Sequence, residues 1–284
     1  MNGIVFMNGK YLPADQAKIS IFDRAVMFAD AIYEVAGVLD GKLVDFDHHM
    51  ERYFASVGKV SISSPLSKLE ILNAFRSLIE KNGISEGMVY MQVTRGEAER
   101  DFIWKEDLRP NIFMFATPKA AVDTEAAAMG VSLFSTPDLR WARRDIKSVN
   151  LLAQVLAKNT AHDAGAYEAL MIDQNGFVTE CGSTSFFIVK GGAVITRPLN
   201  NDILPGVTRR ALVSLCSTKG IELEERSFSL IEAIKADEAF ITGASSNVIP
   251  VVKIDEQQIG MGQPGKWTRE LQQIYLIYAR ESLI

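Results

Sequence analysis

Four two-residue turn signals punctuate this chain and restrict what it can fold into: Asn8-Gly9, Asp40-Gly41, Asn175-Gly176 and Gly191-Gly192. Asn-Gly and Asp-Gly tolerate the positive φ angles of tight hairpin turns. The first three stand between short β-rich runs, 4–7 and 10–12, 33–39 and 42–44, and 169–172 and 177–179, while Gly191-Gly192 follows the run 186–189. Hairpins pair strands antiparallel, which argues against one doubly wound parallel sheet. Helical spacing intervenes. Asp47 heads a stretch carrying His49, Arg52, Tyr53 and Ser56, and Ser67 heads Leu69, Ile71, Leu72, Phe75, Leu78 and Ile79, stopped by Asn82-Gly83. Further strands are expected at 88–94, 112–117, 131–134, 221–225, 238–242 and 248–253, and helices at 151–164, 207–219, 230–236 and 267–281. The mixture predicts an α/β fold of mixed α+β type in two lobes.

At 284 residues the chain is near the size at which one hydrophobic core becomes two. The alanine-rich stretch 118–130, with scattered charge and no periodicity, marks the junction. We expect an N-terminal domain over 1–119, a linker at 120–130 and a C-terminal domain over 131–284. With 30 basic and 35 acidic side chains, net −5, no basic stripe favours nucleic acid, so a small-molecule partner is expected. No apolar run reaches about 18 residues, and Met1-Asn2-Gly3 lacks the pattern of a signal peptide. A cytoplasmic protein without a membrane partner is expected. Cys181 and Cys216 are too few for a disulfide framework or a zinc site, and three histidines add little to a metal centre.

Chemistry concentrates at Lys147, in the run Arg-Arg-Asp-Ile-Lys-Ser-Val-Asn-Leu-Leu over 143–152, and at Glu180, in Val178-Thr179-Glu180. A lysine amine and a distant carboxylate are the two groups that holding pyridoxal phosphate requires. The amine forms a Schiff base with the cofactor aldehyde, and the carboxylate keeps the pyridine nitrogen protonated so that the ring accepts electrons. Gly206-Val207-Thr208 opens a helix after Pro205 and reads either as an ordinary helix cap or as an anion site made by free N–H groups, close approach at glycine and a threonine hydroxyl.

Several ordered motifs carry a resemblance. DIKSVNLL, VTECGSTSFF at 178–187 and ILPGVTRR at 203–210 are joined by DRAVMFADAIYEV at 23–35, HHMERYFAS at 48–56, YMQVTRGEAER at 90–100 and ADEAFITGASSNVIPVV at 236–252. Together they resemble the fold-type IV pyridoxal-phosphate enzymes, which include D-amino-acid transaminases, branched-chain aminotransferases and aminodeoxychorismate lyases. The resemblance implies the two-domain fold-type IV architecture, pyridoxal 5′-phosphate as cofactor, Lys147 as the Schiff-base lysine and Glu180 on the pyridine nitrogen. It implies Arg52, Gly206, Val207, Thr208, Gly243 and Ala244 around the phosphate, with Leu204 packing on the ring. Ala244 stands where many members have threonine, and Cys181-Gly182-Ser183-Thr184-Ser185 departs from the usual Gly-Ser-Ser-Ser-Asn.

Tyr33-Glu34-Val35 is similar to the D-amino-acid transaminases, whereas branched-chain enzymes tend to show phenylalanine followed by Glu-Gly. In the D-type enzymes an arginine and a histidine two residues apart, on a loop from the partner subunit, hold the substrate carboxylate, helped by a histidine on the phosphate-arginine helix. Arg100 and His49 match, Tyr33 matches a tyrosine near the substrate, and Phe102 replaces the second loop histidine. A phenyl ring donates no hydrogen bond, so the pocket loses a polar anchor and gains apolar surface. The resemblance therefore implies amino transfer from a D-alanine-like amino acid to a 2-oxo acid, by a homodimer to which Ile4, Val5 and Phe6 contribute apolar surface. Rival readings are a branched-chain L-amino-acid or (R)-amine transaminase, an aminodeoxychorismate lyase, and a cofactor-free binding protein of the same fold.

Overall fold

The structure, a computed structural model, describes residues 3–284. Met1 and Asn2, at the start of the segment read for a signal peptide, lie outside the described residues. The chain divides into two compact units, one of Met1–Lys119, Ile146–Asn150 and Ser282–Ile284, the other of Ala120–Asp145 and Leu151–Glu281.

The first unit runs β1 (Ile4–Met7), β2 (Lys10–Pro13), a 3-10 turn (Ala14–Gln16), α1 (Arg24–Phe28), β3 (Ala31–Leu39), β4 (Lys42–Leu43), α2 (Phe46–Lys59), α3 (Lys68–Lys81), β5 (Gly87–Thr94) and β6 (Ile112–Pro118). Its six-stranded sheet has the order β2-β1-β6-β5-β3-β4, antiparallel throughout. The hairpin turns take the positive φ that their residues permit, 48° at Asn8 and 52° at Asp40. Alternation along β5 turns Val89, Met91 and Val93 inward, where they meet Met50, Tyr53 and Val57 of α2 and Ile71, Phe75 and Leu78 of α3. Truncating a ring such as Phe75 in such a core costs about 3–5 kcal/mol. Phe6, expected at a subunit interface, belongs to this core instead.

Helix α3 begins at Ser67 as expected. The Ser67 hydroxyl accepts from Glu70 N, and the Glu70 carboxylate accepts from Ser67 N, a reciprocal cap that contributes about 1 kcal/mol. Helix α2 begins earlier than Asp47 indicated. Asp45 is its N-cap, in a left-handed conformation, and His49 N donates to Asp45 O at 3.1 Å.

Residues 146–150 return to the first unit. Tyr33 N donates to Lys147 O at 3.0 Å, Val149 N donates to Ala31 O at 3.1 Å, and Ser148 bridges Ile32 antiparallel. The C-terminal Ile284 exchanges backbone hydrogen bonds with Leu43, at 3.0 and 3.2 Å. A continuous domain over 131–284 is thus not what the contacts give, because these two segments complete the edge of the other sheet.

The second unit runs α4 (Glu125–Met129), β7 (Val131–Pro137), α5 (Leu152–Asp163), β8 (Glu168–Ile172), β9 (Val178–Cys181), β10 (Ser185–Lys190), β11 (Ala193–Thr196), α6 (Val207–Lys219), β12 (Leu223–Glu225), α7 (Leu230–Ile234), β13 (Glu238–Gly243), β14 (Asn247–Ile254), β15 (Gln257–Gln258) and α8 (Lys266–Glu281). Its nine-stranded sheet has the order β12-β11-β10-β13-β14-β7-β8-β9, with β15 on β14. The pairs β11·β12, β14·β7 and β7·β8 are parallel and the others antiparallel. Leu133, Leu170, Phe186, Ile188, Ile241 and Ile249 fill its core. The stretch read as a linker carries α4, capped by the Thr124 hydroxyl, and it is tied down by Gln272 Nε2 donating to Ala127 O and Asn247 Nδ2 donating to Ala121 O.

Candidate active site

Lys147 belongs to the first unit, its backbone fixed against β3 and its N–H donating to Ser56 Oγ of α2 at 3.3 Å. The amine lies 4.2 Å from the centroid of the Tyr33 ring, and no carboxylate among the described residues pairs with it. Tyr33 is on β3, stacked at 5.6 Å on Tyr90 of β5, which in turn stacks at 4.8 Å on Phe115 of β6. The amine therefore faces an aromatic surface built from three adjacent strands.

Strand alternation sends Glu34, the next residue, into the interior, fully buried between α2 side chains. Its Oε2 accepts from Arg52 Nε at 3.0 Å, and its Oε1 accepts from Arg52 Nη2 and from Val35 N and contacts His49 Nδ1 at 3.0 Å. Burial pushes the Glu34 carboxyl up, but the Arg52 charge and the His49 contact outweigh it and hold the group well below the usual carboxylate range. Burial also lowers His49, against the pull of Glu34. The structure thus brings Tyr33, His49, Arg52 and Lys147 into one unit and adds Glu34, whose interior role no spacing announced. For His49 it qualifies the expectation of a substrate contact, because the ring is 1% exposed and Nδ1 is engaged by Glu34.

Arg100 and Phe102 lie on the loop after β5. Arg24, buried on α1 and paired with Asp30 at 2.9 Å, donates to Asp101 O at 2.6 Å and to Phe102 O at 3.3 Å, which anchors the loop backbone. The Arg100 guanidinium stands 5.5 Å from the Phe28 ring and 5.6 Å from the Phe102 ring, with no acidic partner among the described residues. Phe102 itself is 73% exposed.

Glu180 belongs to the second unit, at the end of β9, with 5% of its surface exposed. Its Oε1 accepts from Leu204 N at 3.0 Å and from Arg140 Nη1, and its Oε2 has no partner among the described residues. Arg140 is shared. Its Nε donates to Asp138 Oδ1 at 2.9 Å and its Nη2 to Asp138 Oδ2 at 2.7 Å, while Thr179 Oγ1 donates to the same Oδ2 at 2.7 Å. Burial pushes the Glu180 carboxyl up, and Arg140 with the Leu204 N–H pulls against it. Asp138, also buried, is held below the usual range by Arg140, Thr179 and Arg144. Sequence reasoning missed Asp138 and Arg140, since neither is distinguishable there from a surface charge.

Gly206 is the N-cap of α6 and offers no side-chain cap, so Val207, Thr208 and Arg209 present N–H groups that the helix cannot satisfy. A Cβ at Gly206 would lie 2.6 Å from Ser185 Oγ, which accounts for the glycine. Thr208 Oγ1 is buried and has no hydrogen-bond partner among the described residues. Gly243 ends β13, where a Cβ would meet Ser246 Oγ at 3.0 Å and Thr184 Cγ2 at 3.1 Å, and Ala244 follows without a hydroxyl. The second unit therefore holds a carboxylate with one open oxygen and a helix start with an orphaned hydroxyl, a set suited to a nitrogen base and to an anion.

A family model described as amino-transferase class IV matches residues 31–254. The chain belongs to this family. This class IV aminotransferase is 36% identical over 268 residues to a D-alanine aminotransferase of Bacillus licheniformis, covering 94% of each chain. It is 35% identical over 280 residues to one of Staphylococcus epidermidis, covering 99% of each. Among solved structures, the branched-chain amino acid aminotransferase of Escherichia coli superposes with a TM-score of 0.91 at 24% identity, over 98% of this chain and 95% of that one. The enzyme from Thermobaculum terrenum in its PLP form does so with 0.85 at 23%, over 100% and 98%. At such identities these two likenesses establish the fold, that of the fold-type IV aminotransferases. Among the described residues no helix is long and apolar enough to cross a membrane.

Proposed function

We propose that this aminotransferase is a D-amino-acid transaminase that uses pyridoxal 5′-phosphate and moves an amino group between a D-alanine-like amino acid and a 2-oxo acid such as 2-oxoglutarate. The observation that carries the reading is Lys147: an amine without a carboxylate partner among the described residues, facing aromatic rings, in a chain whose relatives are D-alanine aminotransferases. The residues present fit the cofactor. The orphaned Thr208 hydroxyl and the leading N–H groups of α6, with Gly206, Val207, Gly243 and Ala244, suit a phosphate. Arg52 is the guanidinium we assign to it. Since Glu34 neutralises its charge, Arg52 supplies an oriented donor rather than net positive charge.

When bound, the cofactor supplies an aldehyde that condenses with an amine and a ring that withdraws electrons from the substrate α-carbon. Lys147 Nζ would be the amine that holds it, and as a free amine it would be the base that carries the substrate α-proton. Glu180, through its open Oε2, would hold the ring nitrogen, and Leu204 would line the ring. Arg100 takes the substrate carboxylate, with Tyr33 and Phe102 around the rest of the molecule, while the buried His49 acts behind them through Glu34 and Arg52. Phe102 widens the range toward apolar substrates.

The test pairs stereoisomers. Protein loaded with pyridoxal phosphate is given 2-oxoglutarate with D-alanine, L-alanine, L-leucine or L-valine in turn, and keto-acid release is measured. Release of pyruvate from D-alanine, abolished in Lys147→Ala, is expected. Reaction with the L-branched-chain amino acids alone would overturn the stereochemical assignment, and release of pyruvate from aminodeoxychorismate without an acceptor would favour the lyase.

A cytoplasmic homodimer is part of the same proposal. Ile21, Phe22, Val26 and Ile103 of the first unit are 73%, 54%, 58% and 80% exposed, apolar surface of the kind a second subunit covers. Cys181 and Cys216 are free thiols, in keeping with a reducing compartment. Light scattering at micromolar concentration is expected to give twice the mass of 31.4 kDa.

A further inference from the structure

We infer that Arg140 is a positioning residue for Glu180, occupying Oε1 so that Oε2 alone is left for a ligand nitrogen, and that Asp138 governs how firmly Arg140 holds it. The inference rests on the pyridoxal-phosphate reading above for its role, and on the geometry of the second unit for its substance.

Three observations carry it. Oε1 of Glu180 receives two donors, Arg140 Nη1 and Leu204 N, whereas Oε2 receives none among the described residues, so the two oxygens of one carboxylate are unequal. Arg140 is 5% exposed in its side chain and makes its other bonds to Asp138 and Thr179, so its guanidinium plane is fixed from behind. Asp138 is fully buried and is also bound by Thr179 and approached by Arg144 Nε at 3.4 Å, which makes it the rigid end of the chain of contacts.

The charge arrangement gives the inference a direction. One guanidinium divided between two carboxylates stabilises the ionised form of each less than it would stabilise either alone. Glu180 therefore keeps part of its basicity. Strengthening the Arg140 contact makes Oε2 a weaker base and leaves a shared proton on the ring nitrogen; removing it lets the proton pass from the ring nitrogen to Oε2. No electrons change hands. A neutral ring nitrogen in turn favours a positive charge on the nitrogen of the lysine linkage, so the pH midpoint of the visible absorbance change of the loaded protein rises.

The experiment uses Arg140→Gln, Arg140→Lys and the isosteric Asp138→Asn in the full chain, with two readouts. In protein without cofactor, the infrared band of protonated Glu180, assigned by its loss in Glu180→Gln, is followed against pH. Its midpoint is expected to rise by about one pH unit in Arg140→Gln, to recover partly in Arg140→Lys and to fall in Asp138→Asn. In loaded protein, the visible midpoint is expected to move in the same order, and Arg140→Gln to bind pyridoxal phosphate about tenfold more weakly. Unmoved infrared midpoints in Arg140→Gln and Asp138→Asn would overturn the inference whether or not cofactor binds. Failure of the unaltered protein to take up pyridoxal phosphate would overturn the functional reading and leave the infrared result to decide on Arg140.

Discussion

Both units bury a glutamate against an arginine, and they do so to opposite ends. In the first, Glu34 has both oxygens engaged, by Arg52 from α2, by His49 and by its neighbour's N–H, and it is held firmly ionised. In the second, Glu180 has one oxygen engaged and one open, and burial pushes its carboxyl up rather than down. A buried carboxylate whose bonding capacity is filled ties an element in place; one whose capacity is half filled retains chemistry. The same residue pair thus closes a network on β3 and leaves one oxygen open on β9.

That contrast breaks first if Glu34 is removed. Glu34→Ala leaves Arg52 and His49 buried without their partner, and we expect a loss of about 3–5 kcal/mol in urea unfolding. Glu180→Gln should lower kcat by about 10²-fold, near 2.7 kcal/mol of transition-state stabilisation, while urea unfolding changes by less than about 1 kcal/mol. If both substitutions acted mainly on stability, or both mainly on rate, the distinction between the two carboxylates would be lost.

The smallest effect concerns pH. His49 in the folded chain lies below its ordinary 6.5, so the unfolded chain takes up that proton first, and stability falls as pH drops below 6.5. Glu34 lies below its ordinary 4.5, so its contribution is present above 4.5 and is lost only as pH falls further, through the folded value. Acid titration of the melting temperature is expected to show a shallow decline followed by a steep one. His49→Gln should remove the shallow part, a difference of about 1 kcal/mol at pH 5, and leave the steep part.

What the sequence made legible was local. The hairpins at Asn8-Gly9 and Asp40-Gly41 and the reciprocal cap at Ser67 depend on residues within four positions of one another, and all three form as their residue types require. The start of α2 escaped because Asp45 adopts a left-handed conformation that its sequence neighbours do not announce. Strand β11 escaped because Ala193–Thr196 is four buried residues with no polar alternation to reveal it. At the candidate site, Lys147, Glu180 and the α6 start were visible as motifs. The Glu34 and Arg140 networks were not, since each exists only once β3 meets α2, or β9 meets the loop after β7. The membership of 146–150 in the first unit is equally non-local, resting on hydrogen bonds to residues more than a hundred positions away.

That last arrangement has a consequence for biosynthesis. As the polypeptide leaves the ribosome, residues 1–119 emerge with the Ala31–Tyr33 rim of their sheet bare, and the segment that covers it, which carries Lys147, is made only after the second unit has begun. Neither half is a contiguous gene fragment, and a product truncated at residue 119 would expose a sticky β edge to its neighbours.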